Sequence, residues 1–164
     1  LTRDKDRARA EHDLYRQVGC EFLDARGEPP TTVARQILKA LKAGKIVVGI
    51  VDRIQKSPAA LIDKTQDVVC VTGFGSPAGV DGWPTRFAAK AQAPILPGFV
   101  TQTDGRLTLL IGNAIAPSAD IVASTQDLMS QLEGFITLHP DEWAFSVDKH
   151  WSRALQNSAA EATT

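Results

Sequence analysis

Residues 46–51 read Ile-Val-Val-Gly-Ile-Val, six apolar positions in a row, five of them β-branched. Branched side chains fit the pleated backbone of a strand better than a helix. A strand exposed on one face would alternate apolar with polar residues, and this one does not. A continuous run demands cover on both faces, the usual state of a strand inside a parallel sheet. Lys45 and Asp52 mark its ends.

The flanking segments extend the pattern. Residues 68–71 form a second short apolar run, and residues 94–100 and 107–111 two more. Thr103, Asp104, Gly105 and Arg106 make a hairpin-like turn between the last two. Residues 4–17 are charged and rich in Ala, as in an exposed helix, and residues 18–23 suit a short strand. A turn over 27–30, with Pro29 and Pro30, leads into a helix on which Val33, Ile37 and Leu41 share a face and Gly44 ends the last turn. Residues 72–82 are a Gly/Pro-rich loop. Residues 83–92 follow as a helix that tolerates Pro84 in its first turn. Asp120 is placed to cap a helix whose Ile121, Thr125, Leu128, Leu132 and Phe135 lie along one side. Strand and helix alternate through the middle. The expected class is α/β, with a mixed, mainly parallel sheet flanked by helices.

The chain has 164 residues, 43% of them hydrophobic, and a formal charge of −1. That suits one domain over 1–153, with a small, polar, flexible tail over 154–164. The near-neutral balance lacks the basic footprint of a nucleic-acid binder. The first 45 residues carry ten Lys and Arg against seven acidic residues, a weakly basic end. Cys20 and Cys70 are far apart and sit among apolar residues, so both are expected in the core and no metal site is implied. No apolar run approaches the ~18 residues of a membrane span. No signal peptide is expected from these residues.

Several positions could carry chemistry. Asp52 directly follows the apolar run, at the carboxyl end where open sheets build their sites. Arg16 offers a forked guanidinium suited to a phosphate or carboxylate. Gly73, Gly75 and Gly79 punctuate a loop that lacks both nucleotide-binding glycine fingerprints. Thr85 and Arg86 fall in the first turn of the next helix, where free backbone N–H groups favour an anion. His12, His139 and His150 have no partner at metal or triad spacing. Ser76 does not sit in a Gly-x-Ser-x-Gly elbow.

Taken in order, these segments resemble a known family. Residues 37–44 followed by 47–52 resemble its helix ending Leu-Lys-x-Gly, strand and Asp. Phe74 and Gly75, then Thr85, Arg86 and Ala89, resemble its Phe-x-Gly, Thr and Arg-x-Ala stretch. Residues 93–97 are similar to the Pro-bounded strand that follows. His139 to Trp143 and then Trp151 resemble its Pro-Glu-Gln-Trp and Trp ending. The family is that of the lauroyl and myristoyl acyltransferases of lipid A synthesis, within the lysophospholipid acyltransferase-like group. Phosphatidylinositol mannoside acyltransferases are relatives.

The resemblance implies transfer of a fatty acyl group from acyl carrier protein or acyl-CoA to a hydroxyl of a lipid or glycolipid. It implies a glycerolipid acyltransferase-like fold and work at a membrane surface, the cytoplasmic face of a bacterial inner membrane. No cofactor is implied beyond the acyl donor. Asp52 and Arg16 are the catalytic positions it assigns. Gly75, Thr85 and Arg86 are assigned to substrate binding. The family's general base is the His of a His-x4-Asp/Glu motif, and no His here has an acid five residues later: Gln17 follows His12 at that offset and Ala144 follows His139. Where the family has Gln after the Asp, this chain has Arg53. The expectation is the C-terminal portion of an acyltransferase whose base lies upstream of Leu1. The alternative is a catalytically inactive acyltransferase-like domain that binds lipid or a partner. A nucleotide-binding α/β domain is a third possibility, and it lacks the phosphate loop such a domain needs.

Overall fold

A computed structural model describes residues 13–21, 23, 28–51, 54–56, 68–143 and 151. The described part of the first helix, α1, is 13–17. Then follow α2 (Pro30–Lys42), β1 (Ile54–Lys56), β2 (Val68–Gly73), β3 (Ser76–Asp81), α3 (Trp83–Ala91), β4 (Gly98–Thr103), β5 (Arg106–Ile111) and α4 (Ile121–Leu138). A 3₁₀ turn at Pro140–Glu142 comes after α4. The proposed tail lies outside the described residues.

The sheet is the main correction to the sequence reading. The described strands form a three-stranded sheet ordered β1-β3-β2 and a separate β4-β5 ribbon. All three strand pairings are antiparallel, as is the isolated Ile95–Ile115 bridge. The described residues contain no mainly parallel sheet flanked by helices. Residues 46–51 are extended but join neither sheet. Composition identified strand-forming residues; it carried no information on the direction of their partners.

Two strands were not expected: β1, within a polar segment over 52–67, and β3, hidden in what reads as a Gly/Pro-rich loop. Phe74 (φ +50°) and Gly75 (φ +76°) are the two central residues of a tight turn. Positive φ at both positions matches the twist of a two-residue hairpin. Gly73 then pairs with Ser76, Thr72 with Pro77, and the register runs on to Val68 with Asp81. Pro77 lies on the central strand, where a proline is normally excluded. It is tolerated here because β1 pairs with β3 only at Gly79 and Val80, short of Pro77.

The other elements follow local signals. Gly44 (φ +74°) ends α2, with its N–H bonded to Leu41 O and that of Lys45 to Ala40 O, both 3.0 Å, a Schellman closure. Asp104 and Gly105, both at positive φ, make the β4-β5 turn. Asp120 caps α4 through its side chain, accepting from the Ala123 N–H at 3.0 Å. The expected strand at 18–23 is absent from the described residues there, which are turn and irregular. Cys20 and Cys70 are both exposed, against expectation. Cys70 falls on the outer face of β2, whose inner positions are Val69, Val71 and Gly73.

The core forms where the inner face of β2-β3 meets α4. Val69, Val71, Ala78 and Val80 pack with Met129, Leu132 and Ile136. Trp143 and Trp151 close one end, edge to face at 5.0 Å, with Phe74 5.9 and 5.7 Å from them. Aromatic pairs favour such edge contacts. α4 also supplies polar groups to exposed strand backbone. Gln126 bonds both N–H and C=O of Thr72, and Gln131 both of Asn113. Glu133 accepts from the Phe74 N–H, and Glu142 from that of Gln102. The Gln126 and Glu142 contacts satisfy groups that β2 and β4 would otherwise present as open edges.

Candidate functional site

The β3 strand ends at Asp81, and α3 begins two residues later with Trp83, Pro84, Thr85 and Arg86. Pro84 has no N–H, and the Arg86 N–H is bonded to Gly82 O at 3.1 Å. The first turn of α3 therefore offers an anion only the N–H groups of Trp83 and Thr85. Among the described residues no side chain caps this end.

Thr85 is fully buried. Its Oγ1 is 3.0 Å from Gly82 O and 2.9 Å from Thr125 Oγ1, and Thr125 Oγ1 donates to Ile121 O at 2.6 Å. Two hydroxyls have two protons between them for three contacts. The consistent arrangement sends the Thr125 proton to Ile121 and the Thr85 proton to Thr125 or Gly82. The Thr85 hydroxyl is thus committed to pinning α3 against α4. Arg86 is half-buried beside it.

Residues 46–51 reach this place. Val47, Gly49 and Val51 alternate toward the protein; a Cβ added at Gly49 would run into the Trp83 indole. Val51 lines a narrow crevice of about 10 Å³ with Asp81, Thr125, Leu128 and Met129. Ligand pockets usually measure roughly 300–1,000 Å³, so this is a seam between elements more than a substrate chamber. The opposite face of the segment is bare: Ile46, Val48 and Ile50 are 88%, 89% and 76% exposed.

The predicted site residues therefore separate. Thr85 and Arg86 share the start of α3, next to the segment that leads to Asp52. Asp52 itself lies outside the described residues, as do His12 and His150. Gly75 is exposed at the far hairpin turn. The six residues of β3, at about 3.4 Å each, put it roughly 20 Å from α3. Its glycine is explained by the positive φ of the turn. Arg16 is exposed on α1, and among the described residues no hydrogen bond or ion pair links it to Thr85, Arg86 or Gly75. His139 is half-buried and stacks on Phe99 at 6.1 Å.

Sequence inspection missed the cluster of Phe74, Trp143 and Trp151. These three belong to motifs that carry the family resemblance, and they meet in the core. Their role is packing. No group of three or more His, Cys, Asp or Glu suited to a metal ion occurs among the described residues, and no described helix is long and apolar enough to cross a membrane. The chain matches no protein-family model and no curated protein sequence.

Proposed function

We propose that this chain is part of a membrane-associated acyltransferase. It would move a fatty acyl group from acyl carrier protein or acyl-CoA to a hydroxyl of a lipid or glycolipid, at the cytoplasmic face of a bacterial inner membrane. The supporting observation is the meeting of two motif segments. The run that precedes Asp52 ends at Val51 in the same crevice as Asp81 and Thr125, beside the α3 turn carrying Thr85 and Arg86. A carboxylate and a guanidinium on such segments would flank an acceptor head group. In the reaction a base removes the acceptor hydroxyl proton and the oxygen attacks the thioester carbonyl. A C–O bond forms, the C–S bond breaks and the thiol leaves with a proton. Asp52 and Arg16 are the catalytic positions in this proposal, and Arg86 is the head-group ligand held in place by Thr85. Gly75 serves the turn. The base is supplied from outside these 164 residues.

The 164-residue polypeptide assayed with acyl-CoA and acyl carrier protein donors is expected to show no turnover. Appreciable turnover would overturn the placement of the base. In a protein that supplies the His-x4-Asp/Glu motif, Asp52→Asn is expected to lower kcat at least tenfold, and wild-type kcat would remove Asp52 from the chemistry. The missing base also supports a second reading, an inactive acyltransferase-like domain that binds lipid or a partner. Unchanged activity of the longer protein when Asp52 and Arg86 are both replaced would favour it.

A further inference from the structure

We propose that α2 and the 46–50 segment form a docking surface for an anionic lipid bilayer. The inference rests on the acyltransferase reading only for its biological purpose, because docking is measured without donor or acceptor.

Two observations on adjoining elements carry it. α2 contains Arg35, Lys39 and Lys42 and no carboxylate. All three are exposed, and their spacing of four and three residues stacks them in one stripe on the helix. Val33, Ile37 and Leu41 lie on another side of the helix and Leu38 flanks the stripe; all four are half-buried. Beyond the Gly44 turn come Ile46, Val48 and Ile50, all pointing outward. Ile46 lies four positions after Lys42, a reach of at most about 14 Å.

The chemistry selects the partner. A cationic stripe without acids complements phosphate head groups, and branched aliphatic side chains beside it suit the boundary between head groups and acyl chains. Lys45 is occupied by Glu21 and is not counted among the free cations. A protein strand laid on the segment would use the aliphatic side chains and leave the α2 cations without a role.

The test is co-sedimentation of the whole chain with vesicles. One set is phosphatidylcholine alone, and the other equal parts phosphatidylcholine and phosphatidylglycerol. Binding to the anionic set only is expected. The triple variant Arg35→Gln, Lys39→Gln, Lys42→Gln should weaken it at least about tenfold, since it removes three cations from the face that meets the anionic head groups. Val48→Asp should weaken it as well. All four positions are exposed, and an unchanged circular dichroism spectrum confirms that the variants fold. Equal binding to both vesicle sets, or full binding by the triple variant, overturns the proposal. So does vesicle-independent self-association that Val48→Asp abolishes, which would assign the face to a second copy of the chain.

Discussion

The side-chain amide of Gln126 engages Thr72 as a neighbouring strand would. Its oxygen accepts the Thr72 N–H at 2.8 Å, and its nitrogen donates to the Thr72 carbonyl at 2.9 Å. One helical side chain thereby closes a position on the open edge of β2. Gln126→Ala is expected to cost about 1–2 kcal/mol, two neutral hydrogen bonds at a position where water partly replaces them. Gln126→Glu should recover little, because a carboxylate cannot donate to the Thr72 carbonyl. Urea denaturation of both variants checks this, and amide exchange at Thr72 should accelerate in Gln126→Ala, where the acceptor of the Thr72 N–H is gone.

The Thr85–Thr125 pair makes a separate prediction about how α3 is held. Thr85→Val and Thr125→Val keep the side-chain shape and remove one hydroxyl each. Each should cost about 1 kcal/mol. The double variant should cost less than the sum, because either single change already breaks the same contact. A double-mutant cycle by chemical denaturation reads the coupling, and strict additivity would show that the two hydroxyls act independently.

Trp143 buries its indole N–H without a hydrogen-bond partner among the described residues. Trp143→Phe removes that orphaned donor along with part of the ring. The relief offsets the lost packing, and the net change should stay within about 1 kcal/mol. Trp143→Ala has no such compensation beside Phe74 and Trp151 and should cost about 3–5 kcal/mol. Thermal unfolding of the two variants should therefore separate widely.

Glu21 accepts a hydrogen bond from Lys45. That bond, and then the ammonium charge, hold its carboxyl below the ordinary glutamate value. A depressed folded pKa gives a contribution present above the unfolded pKa and lost as pH falls through the folded one. Both side chains are well exposed, so the effect on stability is small. An NMR titration should find Glu21 titrating below the usual glutamate range, and Lys45→Gln should return it upward.

Local chemistry made the helices and one hairpin legible. The Asp120 cap, the 3.6-residue stripe of α4, the Gly44 closure and the Asp104–Gly105 turn are all short-range signals. Each is settled within a few residues of chain. The Phe74–Gly75 hairpin was equally local, but its glycines and Pro77 imitate a loop, and only the ladder to β2 exposes the strand. Of the site residues, Thr85 and Arg86 were placed correctly in the first turn of α3. That the Thr85 hydroxyl is consumed by Thr125, 40 residues away, could not be read from spacing.

The amino-acid sequence by itself determined which segments prefer helix or strand and where most of them stop, because caps, turns and periodicity act over one or two turns of chain. Tertiary structure alone decided the antiparallel direction of every described strand pair. It also left Ile46, Val48 and Ile50 bare and set Val51 beside Asp81 and Thr125. Those outcomes depend on which backbone edges and apolar faces meet across long stretches of chain. A strand-forming run contains the same residues whichever way its neighbour points.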